Sequence, residues 1–199
     1  MGYSIDPISA NCYPDTTVLI NKFDIRDEEK LNEVESVIAS VRYAEWLNAP
    51  KADSFDFEHY KAIHHFLFFD LYDWAGQIRT VNISKKGTKF TSAENIEEQA
   101  TLIFKRLKNC NYFRGLYHNE FVDEIVDFYC VTNALHPFRE GNGRTQRVFL
   151  TQLIRNAGYD INFADTDTEL LMIATIQSAQ GVTDMLKQLF SESIKNNSL

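Results

Sequence analysis

Phe121, Ile125, Phe128, Thr132 and Leu135 follow one another at steps of four, three, four and three residues. That is the period of one face of an α-helix, and no strand can present it, because strand side chains alternate. The same period runs along most of the chain. Leu31, Val34, Val37, Ile38 and Val41 make residues 27–47 one long amphipathic helix, which Pro50 stops. Tyr60, Ile63, His64, Leu67 and Leu71 predict a second helix over 56–72. Further helices are predicted over 94–108, 119–135, 145–157 (with Gly158 as its C-cap), 168–179 and 182–194. One stretch breaks the pattern. Ile78, Thr80, Val81 and Ile83 are β-prone, Lys86-Gly87 is a turn, and Thr88-Lys89-Phe90 returns, so a hairpin with a basic, solvent-facing tip is expected. Pro7, Asn11, Pro14 and Asp15 make the first residues an extended arm. The fold class expected is all-α with one small β-hairpin. No repeat or long linker interrupts the chain, so residues 1–199 are read as a single domain whose arm occupies about 1–23.

Composition removes several classes of function. The net charge of -8 argues against broad nucleic-acid binding, which needs cations on a face. Two local basic groups remain: Arg79, Lys85, Lys86 and Lys89, then Arg139, Arg144 and Arg147. Cys12, Cys110 and Cys130 contain no CxxC pair, so neither a disulfide framework nor a thiolate zinc site is expected. Inert thiols in a reducing cytoplasm suit them. No apolar run approaches the ~20 residues of a membrane span, and the N-terminus has no basic n-region or apolar h-region. A cytoplasmic protein with no membrane partner is expected. Adjacent residues on a helix point about 100° apart, so His64 and His65 are assigned a structural or surface role, not a metal site.

Chemistry concentrates in His136-Pro-Phe-Arg-Glu-Gly-Asn-Gly-Arg-Thr-Gln-Arg147, between two predicted helices. Glycines allow a backbone to approach a ligand closely. Amides at a helix N-terminus point outward and bind phosphate oxygens. Arg144 and Arg147, three apart, share a helical face and can hold the same anion. A carboxylate at Glu140 fits a phosphate site once a Mg²⁺ bridges the two. His136, neutral near pH 7, is a candidate general base.

This segment resembles the motif of the Fic family, His-x-Phe-x-Asp/Glu-Gly-Asn-Gly-Arg-x-x-Arg, at every specified position. Leu71-Tyr-Asp-Trp-Ala-Gly-Gln-Ile-Arg79 looks like the segment before that family's flap hairpin, and Ile176-Gln-Ser-Ala-Gln-Gly181 like the helical region that closes its nucleotide pocket. The likeness covers roughly residues 8–190. It implies a Fic-fold helical domain with a hairpin flap, and a protein adenylyltransferase that moves AMP from ATP to a Tyr, Thr or Ser hydroxyl of a target protein. In that scheme His136 deprotonates the hydroxyl, Phe138 anchors the loop and Glu140 holds Mg²⁺. The amides of Gly141, Asn142 and Gly143 form the anion hole, while Arg144 and Arg147 engage the β- and γ-phosphates. Lys85 covers the phosphates, and Ile83 with Lys85 clamps a target segment added to an exposed flap edge.

The resemblance also bears on reaction type and control. Members that phosphorylate carry a bulkier basic residue where this chain has Gly143, so adenylyl transfer is favoured. Phosphotransfer, transfer of another nucleotide, AMP removal, or an inactive nucleotide- or partner-binding module are the alternatives. Many members carry an inhibitory Ser/Thr-x-x-x-Glu-Gly/Asn helix. Here only Glu94 and Glu140 precede Asn or Gly, and Phe90 and His136 stand four residues before them. The chain thus resembles the toxin members whose inhibitor is a separate small antitoxin.

Overall fold

The computed structural model describes residues 4–5, 11–47, 54–85 and 88–196. Pro50, the Lys86-Gly87 turn and most of the first ten residues of the arm lie outside the described residues. The helices are α1 (Glu28–Leu47), α2 (Phe57–Phe68), α3 (Ile96–Asn109), α4 (His118–Leu135), α5 (Asn142–Asn156), α6 (Thr168–Ser178) and α7 (Asp184–Ser193). Every helix expected from periodicity is present. The stripe on α4 is buried throughout, and α4 packs against α3, α5 and α7. α2 lies on α1 and α5. Phe104, Phe128 and Phe149 meet at the centre, with ring centroids 5.6–5.8 Å apart. None of these helices is long and apolar enough to cross a membrane.

Three details differ from the periodic reading. α2 stops at Phe68, short of Tyr72. The carbonyls that follow are taken by the arm: Lys22 donates through its amide to the Leu71 oxygen at 2.8 Å and through Nζ to the Phe69 oxygen at 2.7 Å. Those carbonyls thereby find partners without a further helical turn. α5 begins at Asn142, ahead of the predicted 145, because Gly141 alone supplies the left-handed turn before it. On α1, Val37 and Val41 face solvent, while Glu35 joins Leu31 and Ala39 on the buried face.

Two small sheets are present among the described residues. The hairpin of β2 (Ile83–Lys85) and β3 (Thr88–Lys89) carries a third strand, β1 (Ser4–Ile5), paired antiparallel to β2 with Ser4 opposite Ser84 and Ile5 opposite Ile83. Of the flap's two edges, that of β2 is occupied by the chain's own N-terminal segment, while β3 is an edge strand of the sheet. Near the other end, β4 (Tyr159–Asp160) pairs with β5 (Lys195–Asn196), a contact between distant segments that local patterning does not announce.

Candidate active site

His136 closes α4 in the left-handed conformation, with φ of 43°. Few non-glycine residues hold such a backbone unless their surroundings enforce it. Here they do. The imidazole stacks on Phe90 of the flap at 3.7 Å and 14°, and Arg79 Nε donates to the His136 carbonyl at 2.8 Å. The same Arg79 guanidinium donates to the carbonyls of Val81, at 2.7 Å, and Thr91. One buried cation thus ties both arms of the flap to the histidine. The Asn133 carbonyl lies 3.1 Å from Nδ1. A carbonyl only accepts, so Nδ1 carries the proton and Nε2 the lone pair. Burial pushes the His136 pKa down from 6.5 to about 3. Arg79 and Lys85 add to this, and the Asn133 bond opposes it. The imidazole is neutral.

The loop that follows is built on buried contacts. Phe138 is fully buried, stacked on His64 at 3.8 Å and parallel to Tyr60 at 5.8 Å. Asn142 pairs with the Phe138 peptide in both directions. Its Oδ1 accepts from the Phe138 amide at 2.9 Å, and its Nδ2 donates to the Phe138 oxygen at 2.8 Å. The Asn142 side chain is thereby consumed in holding the loop, which leaves its backbone to meet a ligand. His64 Nδ1 accepts from the Gly76 amide at 2.8 Å, so Nε2–H donates to the Glu140 carbonyl at 3.0 Å. Burial holds His64 neutral, with its pKa near 3. Of the structural or surface role expected for His64, the buried position shows the structural one, as a support of the loop.

At Gly141 φ is 76°, and an added Cβ would stand 2.4 Å from the Phe68 ring. Only glycine fits. A Cβ at Gly143 would touch Arg147 Nη1 at 3.4 Å. The Gly141 amide donates to Glu140 Oε1 at 2.8 Å. Arg144 lies over the Phe68 ring at 4.8 Å and pairs with Glu35 of α1, with Glu140 Oε1 at 3.6 Å. Burial works against the Arg144 charge, but Glu35, and behind it Glu140, hold its pKa up. Arg147 differs. Among the described residues no carboxylate lies within ion-pair distance of it, and burial lowers its pKa.

His136, Glu140, Gly141, Gly143, Arg144, Arg147 and Lys85 all line one cavity of about 640 Å³. Its far walls are a polar face of α1, with Ser36, Ser40 and Tyr43, and an apolar face of α6, with Leu171, Met172 and Ile176. Phe138 lies beneath, in the core. Ile83 is 5% exposed, its side chain turned inward and its backbone paired with β1, so no side-chain clamp projects from that position. Sequence reasoning missed Glu35, Tyr72 and the clamp formed by Arg79. Glu35 had left a signal: a carboxylate at i+4 between Leu31 and Ala39, on a face that is otherwise apolar.

Residues 54–154 match the model of the Fic/DOC family. The chain is 39% identical over 181 residues to protein adenylyltransferase VbhT of Bartonella schoenbuchensis, covering 91% of this chain and 38% of that one. It is 40% identical to the probable protein adenylyltransferase y4lH of Sinorhizobium fredii, over 88% of this chain and 89% of the relative. In structure it is similar to the BepC protein of Bartonella tribocorum, solved with bound AMPPNP. The TM-score is 0.88 at 27% identity, covering 94% of this chain and 97% of that one. With the motif intact and the relatives matched along most of its length, the chain belongs to the Fic/DOC family.

Proposed function

We propose that this chain is a protein adenylyltransferase, moving AMP from ATP to a Tyr, Thr or Ser hydroxyl of a target protein. The observation that carries the reading is the cavity itself. A neutral imidazole with its lone pair on Nε2, the glycine-lined start of α5 and two arginines meet in one space. The names of the relatives and the AMPPNP bound to BepC support it.

In this scheme Nε2 of His136 takes the proton of the target hydroxyl. The oxygen attacks the α-phosphorus, the bond from that phosphorus to the bridging oxygen breaks, and pyrophosphate leaves with the electron pair. Nothing covalent forms on the protein, so the protein contributes position and charge. The backbone amides of Asn142 and Gly143 receive phosphate oxygens, and that of Gly141 does so once it leaves Glu140 Oε1; Arg144 meets the β-phosphate and Arg147 the γ-phosphate. Lys85 stands over them from the flap. Glu140 fits a Mg²⁺ ion because its carboxylate lines the cavity beside the helix start. No cluster of three acidic, His or Cys groups forms a cage among the described residues. The ion would take its remaining oxygens from phosphate and water and would neutralise charge on the leaving pyrophosphate.

The whole chain acts as one Fic domain in the cytoplasm, with its arm packed on it. A small antitoxin protein inhibits it in trans by bringing a glutamate to Arg147. Docking of a target on the β2 edge requires Ser4–Ile5 to leave that edge.

Incubation of the purified chain and a lysate with ATP labelled at either the α- or the γ-phosphate tests the reading. Transfer of the α-label alone is expected, and His136→Ala should slow it by on the order of 10²–10⁴. Transfer of the γ-label would make the protein a phosphotransferase, and transfer of neither would make it a binding module. Either result overturns the proposal.

A further inference from the structure

Glu35 is a buried carboxylate that the reaction above does not use, and it stands upstream of the residues 54–154 that the family model matches. Both of its oxygens are occupied. Oε1 accepts from Arg144 Nη2, and Oε2 accepts from the Tyr72 hydroxyl. Tyr72 is itself fixed, stacked on Trp74 at 4.3 Å and 1% exposed. With the Arg144 guanidinium donating to one oxygen, the contact is an ion pair.

Arg144 Nη2 has a second carboxylate close by. Glu140 Oε1 lies 3.6 Å away, beyond hydrogen-bond distance, and is already bonded to the Gly141 amide. The same nitrogen thus stands between two acids and is held by one of them. Were Glu35 uncharged, the guanidinium would need to move by less than about 1 Å to bond Glu140 instead. The Glu140 charge would then be spent on an arginine and not on a cation.

We infer that Glu35 is a positioning residue that keeps Arg144 off Glu140, so that Glu140 stays available to the divalent cation accompanying ATP. This rests on the reading of Glu140 as the Mg²⁺ ligand given above. The two carboxylates divide the work: the buried one neutralises the arginine, and the half-exposed one faces the cavity. The remaining nitrogens of Arg144 are then presented in a fixed orientation to the phosphates.

The test is a Mg²⁺ titration of α-label transfer at saturating ATP, for the unmodified protein and three variants. Glu35→Gln keeps the shape and removes the charge. Its half-saturating Mg²⁺ should rise about tenfold or more, the effect of handing a charged hydrogen bond to a competing partner, and excess Mg²⁺ should recover most of the rate. Glu35→Asp keeps the charge on a shorter arm and should fall between the two. Tyr72→Phe loses a buried hydrogen bond but leaves the Glu35 charge, so its Mg²⁺ requirement should stay within about twofold of the unmodified protein even if it melts lower. Calorimetric titration with ATP gives a readout independent of turnover. The tightening of ATP binding by Mg²⁺ seen in the unmodified protein should shrink in Glu35→Gln. A Glu35→Gln protein with a lowered rate but an unchanged Mg²⁺ requirement overturns the inference and reduces Glu35 to a packing role. Should that variant not fold, an unchanged requirement in Glu35→Asp overturns it equally. An unmodified protein indifferent to chelator instead overturns the assignment of Glu140, and the inference with it.

Discussion

Gly141→Ala puts a side chain where neither the backbone nor the Phe68 ring leaves room for one. The residue sits at φ of 76°. An alanine in that region costs about 1–2 kcal/mol, partly offset by the about 0.4–1 kcal/mol gained from a stiffer unfolded chain. The larger problem is contact. The new Cβ would lie 2.4 Å from both Cε2 and Cζ of Phe68. The ring cannot easily retreat, being 1% exposed, with His64 4.8 Å away and the Arg144 guanidinium 4.8 Å over it. Overpacking of that kind costs about 1–3 kcal/mol. The net is about 1–5 kcal/mol, which for a chain of this length lowers the melting temperature by about 2–20 °C. Whatever strain is relieved by moving the loop displaces the amides at the start of α5, so α-label transfer should fall further than stability does. Thermal unfolding and transfer rates measured together on Gly141→Ala, Phe68→Leu and the double variant separate the two contributions. Phe68→Leu withdraws the clashing ring atoms but leaves φ alone, so the alanine should cost about 1 kcal/mol less, or better, in that background. A Gly141→Ala protein that melts and turns over like the original refutes the reasoning. So does a double variant showing no coupling, since the penalty would then be backbone strain alone.

Two further outcomes follow from the same geometry. His64 and His136 both have pKa values pushed from 6.5 to about 3 by burial. Between those limits the unfolded chain binds more protons than the folded one, so the stability these groups confer is complete above about pH 6.5 and is lost as pH falls toward about 3. Denaturant unfolding at about pH 7 and about pH 5 should show that loss, and His64→Gln should show a shallower one; a flat profile contradicts the burial-driven shifts. Deleting residues 1–5 uncovers the β2 edge. The apparent KM for a protein target should then fall about 2–10-fold, in line with one or two backbone hydrogen bonds no longer to be displaced, while ATP binding is unaltered. A rise in that KM would mean that β1 serves to hold the flap in shape.

What was legible in the sequence was what neighbours in the chain decide. The apolar period placed the helices because side chains three and four residues apart share a face whatever lies opposite. The motif placed His136, Glu140, Gly143, Arg144 and Arg147 on one cavity because a helix end, a short loop and a helix start carry all of them. What escaped depended on partners far along the chain. The carbonyls just past α2 are capped by Lys22, 47 residues before the one its Nζ bonds. The His64 bond to Glu140 spans 76 residues, and the Glu35 bond to Arg144 spans 109. The pairing of β1 with β2 joins the first residues of the chain to the flap. None of these leaves a periodic trace. Glu35 left the next best sign, an acid on a face that is otherwise apolar, where a charged group is seldom buried without a partner.

Those distant partners share a position relative to the motif. Arg79 holds the His136 carbonyl, His64 the Glu140 carbonyl, and Glu35 the Arg144 guanidinium. Each comes from outside the motif, and none lines the cavity. The motif alone could not keep its shape: it has left-handed residues at His136 and Gly141, and an asparagine side chain spent on its own loop. Left-handed backbone at a non-glycine residue persists only where the surroundings over-determine it. The three supports supply that determination, and two of them are hydrogen bonds to backbone carbonyls, which no substitution within the motif can replace. A chain could therefore keep every residue from His136 to Arg147 and still lose the geometry of the site.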